Sequence, residues 1–150
     1  MDDLSTAIGN VIDLFCAGAS KACPETAPSD GRTAAVNFAR ARAVAQARLH
    51  DPDLTPDGIA AGLRMSRRTL NKLFELHGIG PMEYIFVERL EQAARDLASP
   101  VQRGASITEI AFRWGFKNSA HFARRFRQHF GKMPTGLRQE GGPVPPRQKL

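Results

Sequence analysis

Two segments of the sequence place hydrogen-bonding side chains in the first turns of helices that begin at a capping residue. The first helix follows Ser66 and the second follows Asn118, and the side-chain oxygens of serine and asparagine accept hydrogen bonds from first-turn N–H groups. In such a turn an arginine can donate two parallel hydrogen bonds to the edge of a guanine, and an asparagine can pair in the same way with an adenine. These segments therefore predict recognition of base edges, without a catalytic residue.

The predicted contacts fall into two groups, because side chains near a helix start reach base edges while flanking cations reach the backbone. The residues expected to contact bases are Arg68, Asn71, Lys72, Ser119, Ala120, His121 and Arg124. The residues expected to contact phosphates are Ser66, Arg67, Asn118, Arg125, Arg127 and Lys132. The ammonium group of Lys72 suits a phosphate as well as a base, and the N–H groups at both helix starts are further phosphate donors.

Each of these helices follows a shorter helix and a tight turn. In the first unit Thr55 is the expected N-cap and Pro56 the first helical residue, where its missing N–H costs nothing. In the second unit Ser106 and Glu109 form a capping box, and Gly115 supplies the turn. A short capped helix, a turn and a second capped helix are typical of a helix-turn-helix unit, whose second helix enters the major groove of DNA.

The other helices are predicted from apolar residues at helical spacing. They cover residues 4–15, an Ala- and Arg-rich stretch over 33–50, and a longer helix over 81–97 that separates the two units as a rigid spacer. No strand pattern is sustained. The sequence therefore predicts an all-α fold in which two helix-turn-helix subdomains are joined by a long linker helix. This homeodomain-like tandem is expected to have about seven helices plus an N-terminal helix.

The charge distribution favours a polyanionic partner. The chain has a net charge of +6, but residues 1–30 hold one lysine and five acidic residues, which leaves 20 basic and 10 acidic residues in 31–150. Between Ala111 and Met133 there is no acidic residue. Two basic faces on the outer helices of two helix-turn-helix units favour double-stranded DNA. RNA fits less well, because single-strand readers expose aromatic side chains and the aromatic residues here follow the spacing of a core.

Three regions are expected along the chain. Residues 1–30 are an N-terminal amphipathic helix and linker, residues 31–138 are the double helix-turn-helix domain, and residues 139–150 are a disordered tail without apolar periodicity. No apolar run approaches the roughly 20 residues that a membrane span requires, and the acidic start of the chain is unlike a secretory signal. We therefore expect a cytoplasmic protein without membrane contact.

Both units also follow an ordered family pattern. Its first half is carried by Asp51-Pro52-Asp53-Leu54-Thr55-Pro56, Ile59-Ala60, Ser66-Arg67-Arg68-Thr69-Leu70, Leu73-Phe74 and Gly78. Its second half is carried by Arg89-Leu90, Ala93, Leu97, Ile107, Glu109-Ile110-Ala111, Gly115-Phe116, Phe122, Arg124, Phe126, Gly131, Pro134 and Arg138. Over residues 34–138 the chain resembles the DNA-binding domain of the AraC/XylS family of bacterial transcription regulators. The departures are Gly58, Gly62, Arg64 at a turn position that favours positive φ, and Leu137 in place of an aromatic residue.

The resemblance implies a sequence-specific transcription regulator, more often an activator, that inserts two recognition helices into adjacent major-groove segments. It also implies an effector-sensing or dimerising domain, which residues 1–30 are too short to form. We therefore expect that domain to be separate or missing, in a fragment or in a naturally short member of the family. RNA polymerase is a further implied partner, and both a monomer and a weak dimer are compatible with the sequence.

Functions other than sequence-specific DNA binding fit the sequence less well. The main alternative is a protein-interaction module that binds RNA polymerase or a sensor domain and has only non-specific affinity for DNA. An enzyme is not expected, because the relatives that carry an alkyl-transfer domain build it on a four-cysteine zinc site and this chain has only Cys16 and Cys23. The four histidines include no i,i+4 pair, so neither a metal nor another cofactor is expected.

Overall fold

The computed structural model describes residues 31–140, and these residues form seven helices and one short 3-10 turn. The helices are α1 (Gly31–Ala47), α2 (Pro56–Gly62), α3 (Arg67–Glu75), α4 (Pro81–Ala98), α5 (Ile107–Arg113), α6 (Ser119–Phe130) and α7 (Pro134–Glu140), with the 3-10 turn at Pro100–Gln102. The predicted all-α class, with two helix-turn-helix units on a linker helix, is confirmed. The predicted helix over residues 4–15 and residues 141–150 of the predicted tail lie outside the described residues, whereas residues 139 and 140 of that tail are helical.

The first unit is built by α1, α2 and α3. The helix predicted over 33–50 ends at Ala47, and residues 48–50 form hydrogen-bonded turns, because the chain must reverse towards α2. Oγ1 of Thr55 caps α2 by accepting a first-turn N–H at 3.2 Å. Arg64 has a φ of 54° in the following turn, as predicted, and Oγ of Ser66 caps α3 by accepting the N–H of Thr69 at 3.1 Å. One core cluster is formed by Ala41, Ala45, Leu49, Leu54, Ile59, Ala60, Leu70, Phe74, Tyr84 and Ile85.

The second unit repeats this layout with α5 and α6. Oγ of Ser106 accepts the N–H of Glu109 at 3.1 Å, while the Glu109 carboxylate accepts the N–H of Ser106 at 2.5 Å, which confirms the predicted capping box. Gly115 has a φ of 75°, and Asn118 caps α6 by accepting the N–H of His121 at 2.9 Å. The second core cluster is formed by Leu90, Ala93, Ala94, Leu97, Ile110, Ala111, Phe116, Phe122, Phe126, Phe130 and Leu137.

Replacing Ser106 by alanine is expected to lower the free energy of unfolding by about 1 kcal/mol, because the N–H of Glu109 would lose its acceptor at the start of α5. Urea-induced unfolding followed by circular dichroism measures this change. Thr108→Ala removes another exposed hydroxyl from the same first turn and serves as the control, with an expected change within about 0.5 kcal/mol. Equal losses for the two variants would show that the cap does not stabilise α5.

The linker helix α4 is shared by both cores. It begins at Pro81 and runs for 18 residues, in agreement with the predicted spacer. Tyr84 and Ile85 lie in the first cluster, whereas Leu90 and the apolar residues that follow it lie in the second. Trp114 is half-buried and packs against both clusters. The two units are therefore two separate cores held side by side on one helix.

The described part of the chain closes with α7. Gly131, with a φ of 72°, ends α6, and Pro134 and Leu137 pack inward from α7. Leu137 is fully buried, so it occupies the core position that the family pattern gives to an aromatic residue. The helix continues through Glu140, beyond the domain end expected at residue 138. No helix within residues 31–140 has both the length and the apolar character of a membrane span.

Candidate nucleic-acid interface

The outer face of α3 carries the first group of predicted contacts. Arg68 and Lys72 are exposed on it, and Asn71 is half-buried. Nη1 of Arg67 donates to Oδ2 of Asp57 in α2 at 2.5 Å, and its Nε donates to Oδ1 of Asn71 at 3.2 Å. An exposed ion pair of this kind contributes only about 0–1 kcal/mol, so a phosphate can replace Asp57 at little cost. Arg67 is thus held beside the two cations that point freely into solvent.

The outer face of α6 carries the second group. Ser119 and Ala120 are exposed in its first turn, and Arg124 and Arg127 are exposed one and two turns further along. The Asn118 side chain is used as the cap of the helix, just as Ser66 is used at α3. Ser66 and Asn118 would therefore favour phosphate binding indirectly, because their side chains cap the helices whose first-turn N–H groups can bind a phosphate.

His121 lies at the edge of this face rather than at its centre. Its ring packs edge-on against Phe86 of α4, with 5.4 Å between centroids and an interplanar angle of 81°, and its side chain is half-buried. Burial lowers the pKa of His121, and the neighbouring Arg124 and Arg125 guanidinium groups lower this pKa further. The neutral imidazole is therefore the favoured form in the unbound protein.

Acidification is expected to destabilise the wild-type protein more than a His121→Gln variant. Because the pKa of His121 lies below its ordinary value of 6.5 in the folded protein, the unfolded chain binds the proton more tightly. The contribution of the neutral ring to stability is therefore complete above that ordinary value and is lost as the pH falls through it towards the folded pKa. Urea unfolding of both proteins between about pH 7 and about pH 5 measures the difference, and parallel pH profiles would contradict this prediction.

Besides Arg67, two more of the predicted phosphate-contacting cations form ion pairs within the protein. Arg125 forms an ion pair with Glu83 of α4, and its guanidinium lies over the Phe86 ring at 5.0 Å from the centroid. Nζ of Lys132 lies 2.6 Å from Oε2 of Glu140 in α7. The sequence could not indicate these pairings, because the acidic partners come from other helices. A phosphate contact from either cation stays a prediction and would require it to leave or share its carboxylate.

Four of the predicted contact cations have no acidic partner among residues 31–140. They are Arg68 and Lys72 on α3 and Arg124 and Arg127 on α6, and none of the ion pairs between residues 31 and 140 includes them. Uncompensated charge of one sign raises the local concentration of a polyanion. Each recognition helix thus presents two free cations beside a capped helix start.

Arg89 was named from the sequence only as part of the family pattern, and its role was missed. The structure buries it between the two units, where it is 2% exposed. A signal was available, because Ile85 and Ala93 lie four residues before and after it and so share its side of the helix. A basic residue on the apolar side of a helix is expected either to extend to solvent or to bond buried acceptors.

Comparison with known proteins assigns the arrangement to a family. Residues 59–140 match a family model described as a helix-turn-helix domain. A crystal structure of an AraC-type transcriptional regulator from Chromobacterium violaceum superposes with a TM-score of 0.67 at 28% identity, over 74% of this chain and 96% of that one. The chain belongs to the AraC/XylS family of transcription regulators. The predicted family resemblance is confirmed, and the matched relatives are transcription regulators rather than enzymes.

Curated AraC/XylS relatives align with the same part of the chain. The transcriptional activator NphR from Rhodococcus sp is 38% identical over 104 residues, which are 69% of this chain and 30% of NphR. The activator RhaS from Escherichia coli O139:H28 is 37% identical over 84 residues, which are 55% of this chain and 29% of RhaS. The chain therefore spans about 30% of the length of these two relatives.

One solved relative contains DNA. The DNA-binding domain of AdpA, a global transcriptional factor, was crystallised in complex with a target DNA. It superposes with a TM-score of 0.61 at 28% identity, over 69% of this chain and 91% of that chain. The fold that the two proteins share includes both helix-turn-helix units. The capped helix starts of this chain therefore belong to a fold that has been solved with DNA bound.

Proposed function

We propose that this protein is a sequence-specific regulator of transcription that binds double-stranded DNA with α3 and α6 in adjacent segments of the major groove. The observation that carries the proposal is the pair of capped helix starts, each beside two exposed cations without an acidic partner among residues 31–140. A helix fits the major groove, and its first turns reach the base edges. AdpA, which has the same fold, binds a target DNA through this domain.

Because the two recognition helices differ in sequence, the DNA site is expected to be asymmetric. Arg68 and Asn71 would contact bases in one segment, and Ser119, His121 and Arg124 would contact bases in the other. The two segments lie about 34 Å apart when they are separated by one helical turn. Where straight DNA does not match the separation of α3 and α6, bending the duplex would cost on the order of 1 to 6 kcal/mol.

Activation is the proposed direction of regulation, because NphR and RhaS are both named activators. An activator requires a contact with the transcription machinery, and RNA polymerase is the proposed partner. A protein whose only role were docking to polymerase or to a sensor domain would bind DNA without sequence preference. Loss of activation with unchanged DNA affinity, in variants of exposed residues away from α3 and α6, would identify that second surface.

Selection from a random duplex library tests the proposal. The purified chain is used at a fixed salt concentration, because phosphate contacts make affinity strongly salt-dependent. The expected result is an asymmetric motif in two adjacent major-groove segments, bound at least about a thousandfold more tightly than scrambled DNA. Salt-sensitive binding without any motif would overturn sequence-specific recognition and favour the protein-interaction alternative.

A further inference from the structure

The junction between the two units is polar and only partly packed. Within residues 31–140 the two core clusters are distinct, and they share only α4 and Trp114. A cleft of about 300 Å³ lies between the units, with walls from the segment 52–55, from α4 and from the turn at residues 115–117. Apolar packing therefore does not by itself determine how the second unit sits against the first, and a few directional contacts must do so.

Arg89 makes the most buried of these contacts. From α4 its Nε donates to the carbonyl oxygen of Leu49 at 3.0 Å, and its Nη2 donates to the carbonyl oxygen of Asp51 at 2.5 Å. Both carbonyls belong to the turn that follows α1. Burial lowers the pKa of Arg89, and the nearby Asp51 carboxylate opposes that shift. The planar fork of a guanidinium engages two acceptors in a fixed orientation, which a lysine cannot reproduce.

Gly115 of the second unit packs against the Arg89 guanidinium and the carbonyl of Leu49. A Cβ atom at this position would lie 2.7 Å from the carbonyl oxygen of Leu49 and 2.7 Å from Nη2 of Arg89, which is closer than non-bonded atoms approach. The φ of 75° also disfavours any side chain there. The turn of the second unit thus packs directly on the guanidinium that holds the turn of the first unit, and only glycine fits between them.

A second set of contacts supports the junction from the side. The rings of His50 and Trp114 stack with 4.2 Å between centroids, and Nδ1 of His50 donates to the carbonyl oxygen of Arg113 at 2.8 Å. Nε1 of Trp114 donates to Asp96 of α4 at 2.8 Å. The two contacts of His50 join the first unit to the second, and the bond to Asp96 fixes the orientation of the Trp114 ring against α4, so together they oppose displacement of the second unit.

We propose that Arg89, packed against Gly115, is a positioning residue that holds α3 and α6 at one separation and one rotational phase, and thereby determines which spacing of DNA segments the chain accepts. The proposal rests on the proposed function, in which both helices bind one duplex. Adding one base pair between the segments moves the second by about 3.4 Å along the duplex and by roughly 35° around it. A fixed pair of helices cannot follow that movement, whereas a loosened pair can.

Binding to a series of sites with zero, one or two base pairs added or removed between the segments tests the proposal. The wild-type chain is expected to prefer one spacing by about tenfold or more over its neighbours. In Arg89→Lys, which keeps the charge but not the fork, the preference is expected to shrink to about threefold or less. Its affinity for a site with only the first segment intact should equal that of the wild type, which a general loss of structure would not allow.

Two further variants test whether the effect on spacing is specific to the junction. Arg95→Ala removes an exposed arginine from the same helix and is expected to keep the wild-type spacing profile. Gly115→Ala acts on the junction from the second unit and is expected to relax the profile as Arg89→Lys does. Thermal unfolding establishes that each variant is folded. A folded Arg89→Lys protein with the wild-type spacing profile would overturn the proposal.

A distance measurement separates this proposal from the proposed function. Spin labels are attached to cysteines placed at the exposed positions Glu75 of α3 and Gln128 of α6, after Cys16 and Cys23 have been replaced by serine. Pulsed electron spin resonance without DNA should give a narrow distance distribution in the wild type and a broad one in Arg89→Lys. Absence of any dependence on the second DNA segment in the wild type would refute the proposed function alone. An unchanged distribution in folded Arg89→Lys would refute the positioning role alone.

Discussion

Replacing Phe126 by alanine is expected to lower the free energy of unfolding by about 3–5 kcal/mol. Phe126 is fully buried in the second core cluster, and its ring centroid lies 5.4 Å from that of Phe122 and 4.6 Å from that of Phe130. Alanine would remove the ring that joins these two neighbours and would leave a cavity that helices cannot close without moving. Since small domains are stable by only about 5–15 kcal/mol, the loss is a large part of the total. Urea unfolding followed by circular dichroism measures it.

Phe112→Ala is the matched control for this substitution. Phe112 is on α5 of the same unit but is 51% exposed, so truncation of its ring should change stability by no more than about 0.5 kcal/mol. The first core cluster is distinct from the second, so Phe126→Ala should weaken recognition of the second DNA segment more than recognition of the first. Equal destabilisation by the two substitutions would mean that the Phe126 ring is not part of a tightly packed core.

Arg124→Ala is expected to remove most of the preference at one base position of the second segment. Arg124 is exposed in the N-terminal half of α6, where a recognition helix approaches base edges. A bidentate contact with guanine contributes about 1–3 kcal/mol of discrimination, which corresponds to roughly a 5- to 150-fold preference. Binding to a panel of duplexes that differ at single positions measures the loss, and the preference at all other positions should be retained.

Arg127→Ala on the same helix is the comparison that identifies the kind of contact. Arg127 is exposed but lies nearer the C-terminal end of α6, so it is expected to contact phosphate. Its removal should weaken binding to all sequences alike and reduce the slope of log affinity against log salt by about 1. If Arg124→Ala behaved in this way too, its assignment as a base contact would be wrong.

The helix starts illustrate how much local sequence determines. Thr55, Ser66, Ser106 and Asn118 were each predicted as N-caps, and each side chain accepts a first-turn N–H. A cap bonds a group two or three residues away, so both partners lie within one short segment of sequence. The same holds for the positive φ at Gly115, which belongs to the local backbone, whereas the close approach of this residue to Leu49 and Arg89 depends on the tertiary structure. The elements of both units could therefore be predicted without knowledge of the fold.

In the predicted site, too, local properties were predictable and contacts between helices were not. Exposure of Arg68 and Arg124 follows from their position opposite the apolar side of an amphipathic helix, and the structure has both exposed. Arg125 was assigned to phosphate for the same reason, yet it pairs with Glu83. Lys132 likewise pairs with Glu140. Residue spacing shows which side of a helix is polar but not which other helix lies beside it, so these ion pairs could not be predicted.

The sequence by itself determined the all-α class, the capped helices, the two repeated units and the family of this protein. Periodicity, capping and turn formation act over a few residues, so they can be identified in the chain as printed. The tertiary structure alone decided that Arg89 bonds the carbonyls of Leu49 and Asp51, and that Trp114 stacks on His50 and contacts both cores. Those contacts join residues about 40 to 60 positions apart, and only packing of the whole chain around α4 brings such residues together.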